Sequence, residues 1–192
     1  MQDIKNKNTI VVKTHAIGRA GRQAPITSCV FIIRNPIDAF LSELSRKTGK
    51  SHTAELNTDM LKSEKWQQIK KSGSNRWFNT YNSGLKVCQN KAFIIWYEHI
   101  KESPENLIST MKNCHKFLLK HNPEHKKFRF REECLRANME GSYHRKHKEP
   151  LKLEKYFTKS EKVELNEKIK LMNETLIRNL GIGNKVPDFY LL

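Results

Sequence analysis

The apolar positions of the chain fall into two kinds of run. Residues 9–14 (TIVVKT), 28–34 (SCVFIIR) and 91–97 (KAFIIWY) are short, continuous and rich in β-branched or aromatic side chains. One-sided strands alternate apolar with polar residues, so the last two runs predict strands covered on both faces, and residues 9–14 a further strand. Elsewhere the apolar residues recur every three or four positions. Ala39, Phe40, Leu41 and Leu44 form one such stripe, Leu107, Met111, Cys114 and Leu118 a second, and Leu165, Ile169, Met172, Leu176 and Leu180 a third. That spacing predicts helices with one buried face. Residues from about 62 to 71 and from about 75 to 88 read as two further helices, and residues 126–137 as a shorter one.

The polar residues between these runs mark their ends. Asn35 is a good N-cap, Pro36 a good first helical residue, and Asp38 sits in the first turn, where the helix dipole favours a carboxylate. Ser103 and Pro104 repeat the cap-proline pair, and TKSE at residues 158–161 is a capping box. Gly181 stands where the last helix should stop. Residues 15–27 read as a Gly-rich basic loop, residues 46–59 as an exposed loop, and residues 138–157, which lack periodicity, as another loop. Strands alternating with helices imply a parallel sheet flanked by helices, an α/β fold. Three strands are few for such a sheet. The 192 residues suffice for one domain, taken as the whole of 1–192.

Charge changes the picture next. The chain holds 36 Lys+Arg against 20 Asp+Glu, a formal charge of +16. Such an excess favours anionic partners (acidic glycans, phosphorylated small molecules, nucleic acid or an anionic membrane) without choosing among them. A hydrophobic content of 37% argues for a packed domain over a basic tail. No stretch approaches the ~20 apolar residues of a membrane span, and MQDIKNKNTI has no apolar run after its charges to serve as a signal peptide. Cys29, Cys88, Cys114 and Cys134 are widely spaced with no CxxC pair, against a structural zinc site. They read as buried free thiols, with one disulfide left open for a secretory protein. Asn173-Glu174-Thr175 matches a glycosylation sequon, a pattern common by chance.

Candidate chemistry gathers at the strand ends. Parallel strands place their carboxyl ends on one edge, where α/β proteins bind ligands. Arg34 ends the second strand just before a helix start, so its guanidinium and the helix dipole together would suit a phosphate. The competing reading is an arginine that caps the strand and pairs with Asp38. Lys13 and His15 end the first strand. A histidine beside a lysine tends to stay neutral and could accept a proton from a hydroxyl, or the pair could simply be solvated. Tyr97 ends the third strand on the same edge, as a stacking residue or as core. Arg145, Lys146 and Lys148 lie in the EGSYHRKHK loop, which would clamp an anion or be solvated.

KTH, RNPIDAFLSELSR, WYEHI and a late basic loop, in this order, resemble the PAPS-dependent sulfotransferases. PAPS is 3′-phosphoadenosine 5′-phosphosulfate, the sulfuryl donor. The short gap from KTH to RNP, the Trp-rich middle and the EGSYHR loop are similar to the sulfotransferase domain of the WSC-domain-containing proteins, the sialate O-sulfotransferase group. The resemblance runs from about Ile10 to Gly181. It implies a P-loop-NTPase-like parallel sheet flanked by helices. It implies that Arg34 and Ser42, eight residues later, bind the 3′-phosphate, that Tyr97 lies near the adenine, and that Arg145 and Lys146 close over the phosphate. It assigns His15 as the base for the acceptor hydroxyl and Lys13 as the lysine near the sulfuryl group, with PAP, 3′-phosphoadenosine 5′-phosphate, as product and no metal.

One departure stands out. The family opens with a strand, a Gly/Ser-rich phosphosulfate loop and a helix, and nothing before Thr9 supplies them. The chain is therefore expected to be an incomplete sulfotransferase domain lacking its first strand-loop-helix unit. The expected activity is sulfuryl transfer to a glycan hydroxyl, with sialic acid among the acceptors, in the Golgi lumen, anchored through a segment outside this chain and with no specific nucleic acid. The alternative is a non-catalytic basic module that binds polyanions, glycan or nucleic acid. A nucleotide kinase relative ranks lower, because no GxxxxGK[ST] motif is present.

Overall fold

A computed structural model describes residues 26, 28–48, 58–88, 91–125, 127–139 and 156–191. Among the described residues the chain is mixed α/β, mostly helical, with a two-stranded parallel sheet. The order is β1 (Cys29–Ile33), α1 (Pro36–Thr48), α2 (Glu64–Val87), β2 (Ala92–Trp96), α3 (Tyr97–Glu102), α4 (Pro104–His121), α5 (Glu132–Met139) and α6 (Lys159–Leu180), with 3-10 turns at Met60–Lys62, Pro123–His125, Ile182–Asn184 and Asp188–Tyr190. The strand expected at residues 9–14 lies outside the described residues, as does most of the late basic loop. The chain divides into two compact units. One comprises Met1–Ile33 with Tyr81–Ser142, the other Arg34–Thr80 with Tyr143–Leu192.

In the first unit β1 and β2 pair in parallel from Cys29↔Ala92 to Ile33↔Trp96. Both are cores of the apolar runs, trimmed by a residue at each end. Cys29, Phe31 and Ile33 are buried, but Ile32 is 55% exposed. The expectation of a strand covered on both faces therefore fails for β1. Its side chains alternate, and among the described residues one face is packed and the other is open at Ile32. Tyr81 packs edge-on against Phe31, and its hydroxyl donates to the Ile32 carbonyl at 3.2 Å. Cys29 and Cys88 form a disulfide with Cα atoms 5.9 Å apart, an ordinary spacing for such a bridge. The reading of all four cysteines as free thiols is corrected for this pair: β1 and the end of α2 meet in space, which sequence spacing does not reveal. Cys114 is a buried free thiol, raised in pKa by that burial, and Cys134 is free and exposed.

Ser103 caps α4 as expected, accepting from the Asn106 amide at 3.1 Å with Pro104 behind it. The buried stripe of α4 centres on Ile108 and Cys114, while Leu107, Met111 and Leu118 are half-buried. The helix expected over 126–137 begins later, at Glu132. Lys112 of α4 pairs with Glu132 at 2.5 Å.

In the second unit α1, residues 64–80 of α2, and α6 build the core. The largest correction concerns α2. The two helices expected around KSGSN are one continuous helix, Glu64–Val87. Glycine costs about 1 kcal/mol relative to alanine inside a helix, yet it is kept here for space. A Cβ on Gly73 would lie 2.7–2.9 Å from three ring atoms of Phe40 of α1. Trp66, Ile69, Trp77 and Phe78 of α2 are buried, as are Leu165, Ile169, Met172 and Leu176 of α6. The capping box forms in full: the Thr158 amide donates to Glu161 at 2.7 Å, and the Glu161 amide donates to the Thr158 hydroxyl at 3.2 Å. Glu161 also takes the ammonium of buried Lys70, at 2.8 Å. Burial pushes the Glu161 carboxyl up, but the Lys70 and Thr158 bonds outweigh it and hold it below the usual carboxylate range. Gly181, at φ 91°, stops α6. The Asn173 side-chain oxygen accepts from the Val186 amide at 2.9 Å, so the sequon asparagine is engaged within the fold.

Candidate functional site

Arg34 and Asn35 connect β1 to α1, and the local sequence explains the turn. Asn35 accepts the Ile37 amide on its side chain at 2.9 Å and the Ala39 amide on its carbonyl at 2.9 Å, so it caps α1. Pro36 follows at the first helical position, where it has no N–H to leave unsatisfied. Free amides at this helix start are therefore few. Pro36 has none, and that of Ile37 is used by the cap. The positive end of the helix dipole favours an anion there.

Arg34 is half-buried, and its Nε is withdrawn from solvent. Its backbone is fixed from α2: the indole N–H of Trp77 donates to the Arg34 carbonyl at 3.0 Å, and Trp77 is itself buried. The competing reading, an Arg34–Asp38 ion pair, does not occur among the described residues. Phe40, Leu41 and Leu44 hold α1 on its buried side. Ser42 projects from the other side, half-buried, and its hydroxyl makes no hydrogen bond among the described residues. It lies six residues beyond Pro36, about 9 Å along the axis at about 1.5 Å per residue. One turn on, Arg46 grips Glu43 with two bonds of 2.7 and 2.8 Å. This lowers the pKa of Glu43 and raises that of Arg46, so Glu43 is a committed carboxylate that does not compete for Arg34.

A guanidinium near the positive end of a helix and a hydroxyl on its outward face are each groups that a tetrahedral anion takes as donors. Trp77 and Gly73 were missed by the sequence reading. Trp77 fixes the Arg34 backbone, and Gly73 lets α1 approach α2. Tryptophan and glycine carry no spacing signal for such roles.

The other sequence-predicted residues fall elsewhere. Tyr97 belongs to the first unit. It is the first residue of α3 instead of the last of a strand, because the apolar run stops at Trp96 and the polar sequence of α3 follows at once. Tyr97 is half-buried, and the Lys101 ammonium lies 5.5 Å from its ring centroid. Lys13, His15, Arg145 and Lys146 lie outside the described residues. Among the described residues no cluster of three or more His, Cys, Asp or Glu could hold a metal ion, and no helix is long and apolar enough to cross a membrane.

The chain is 27% identical over 151 residues to a WSCD family member of Aedes aegypti. The match takes in 76% of this chain and 44% of that protein, so the chain spans under half the length of the relative it matches. No protein-family profile matches the chain, and no solved structure does.

Proposed function

We propose that the chain is the nucleotide-holding part of a sulfotransferase that moves a sulfuryl group from PAPS to a hydroxyl of a glycan, with sialic acid among the acceptors. The observation that carries this reading is the setting of Arg34, at the positive end of α1, with its backbone fixed by Trp77. The motif order and the similarity to a WSCD family member support it.

In this reading Arg34 and Ser42 hold the 3′-phosphate, Tyr97 lies against the adenine, and Arg145 and Lys146 close over the phosphate. His15 takes the proton of the acceptor hydroxyl. The freed oxygen bonds to sulfur while the bond from sulfur to the bridging phosphate oxygen breaks, and PAP leaves with that electron pair. Lys13 offsets the charge growing on the bridging oxygen, the kind of contact whose loss typically costs about 10²–10³ in rate. The Cys29–Cys88 disulfide supports a lumenal setting such as the Golgi, because disulfides persist in oxidising compartments.

The test is transfer of radiolabelled sulfate from PAPS to sialylated glycans by the full-length protein. Transfer that His15→Ala abolishes supports the reading. A full-length protein that transfers nothing, or a His15→Ala variant as active as the parent, ends it.

A further inference from the structure

We propose that the first unit carries a docking surface for a sulfated or carboxylated glycan chain, formed by the C-terminal half of α4 and residues 127–131. It uses none of the residues assigned to PAPS. It does not rest on the sulfotransferase reading either, since the surface would bind the same glycan in a protein with no transfer activity.

The segment Lys127-Phe128-Arg129-Phe130-Arg131 alternates cation and aromatic. Its backbone is held against α4 by a His115 Nε2 contact of 3.0 Å to the Phe128 carbonyl, by the His115 and Phe130 rings 6.0 Å apart, and by the Lys112–Glu132 pair that follows. So fixed, it leaves Lys127, Arg129 and Arg131 exposed and Phe128 61% exposed. Lys116 and Lys120 of α4, four residues apart and thus on one face, are exposed as well. None of these five cations pairs with a carboxylate among the described residues, although Lys112 and Arg136 nearby do. Over residues 112–139 the carboxylates are Glu124, Glu132 and Glu133, and Glu132 is already taken. The crowding has a local effect: burial first, then Lys120 and Lys91, lowers the pKa of His121. Five unpaired cations around an exposed aromatic are the complement of a polyanion with apolar faces.

The disulfide selects the occupant. Cys29 and Cys88 belong to this same unit, and their bond fits an oxidising compartment. Nucleic acid is not the polyanion met there, and the anionic lipid leaflet faces the cytosol. Acidic glycans remain, with sulfate or carboxylate groups for the cations and ring C–H faces for Phe128.

The experiment titrates a heparin-derived octasaccharide into the full chain between about 50 and 200 mM salt. The triple variant K127A/R129A/R131A should lose roughly 10–100-fold in affinity. Its salt slope should flatten by about 2, near 0.7–0.9 per lost contact. Phe128→Ala should lose a few-fold with the slope unchanged, an effect that diffuse charge would not produce. K159A/K170A/R178A, which removes three exposed cations of α6, should stay within about threefold of the parent. A thermal melt shows that each variant is folded, so a failure of PAP binding would not be confused with failure here. Equal losses in the two triple variants overturn the surface. Tighter binding of poly-U RNA or phosphatidylserine vesicles than of the octasaccharide, abolished by the same triple variant, overturns the glycan assignment.

Discussion

Replacing Gly73 by alanine tests how closely α1 is seated on α2, and hence how the Arg34 end of α1 is held. The new Cβ would lie 2.7, 2.8 and 2.9 Å from Cζ, Cε1 and Cε2 of Phe40. Carbon atoms rest about 3.5–4.0 Å apart, so the ring must withdraw by roughly 1 Å. It has little room to do so, being 5% exposed and beside buried Ile37, Leu41 and Leu44 on the same helix. Two effects then oppose each other. Alanine improves helix propensity by about 0.8–1.0 kcal/mol. Overpacking a full core costs about 1–3 kcal/mol. With three ring atoms displaced the upper part of that range applies and the overpacking wins, leaving a net loss of about 1–2 kcal/mol, read by urea unfolding followed by circular dichroism. Phe40→Leu in the same chain should recover part of it, with a coupling energy of about 1 kcal/mol in the double-mutant cycle. A Gly73→Ala protein as stable as the parent, or more stable, would refute the argument and make Gly73 merely a weak helix residue.

Trp77→Phe removes the donor to the Arg34 carbonyl and should cost about 1–3 kcal/mol in stability, measured by urea unfolding, together with a weaker affinity for PAP by calorimetry. Cys88→Ser should destabilise the chain by about 2–4 kcal/mol under non-reducing conditions and make its melting indifferent to dithiothreitol. Glu161 has a folded pKa below its unfolded one, so its contribution to stability is full above the unfolded value and is lost as pH falls through the folded value. An acid titration of unfolding free energy should therefore show a limb below the ordinary carboxylate range that Glu161→Gln flattens.

What the sequence reveals of this fold is what forms locally. The capping box at residues 158–161 and the Asn35 and Ser103 caps close within a few residues, so residue type and spacing suffice. The cores of β1 and β2 follow from runs of β-branched and aromatic residues. Gly73 misleads because the local signal is a break, while the deciding contact is to Phe40 on another helix. Ile32 misleads because a continuous apolar run does not say which of its side chains finds a partner. The Cys29–Cys88 pair and the Trp77 indole on the Arg34 carbonyl are long-range contacts that leave no spacing to read. At the site, Arg34 stood out because a strand end meeting a capped helix is a local pattern. Ser42 was reached only through the family resemblance, since nothing in helical spacing singles out a serine two turns into α1.

The central claim is that Arg34 binds the 3′-phosphate of the donor nucleotide, and calorimetry with two nucleotides tests it most directly. The parent chain should bind PAP more tightly than adenosine 5′-phosphate, which lacks the 3′-phosphate. Taking about 1.5–3 kcal/mol for hydrogen bonds to a charged group, the difference should be roughly 10–150-fold. In Arg34→Ala that difference should largely vanish, with the affinity for adenosine 5′-phosphate unchanged. A parent that binds the two nucleotides equally, or an Arg34→Ala variant that still prefers PAP as strongly as the parent, would contradict the account.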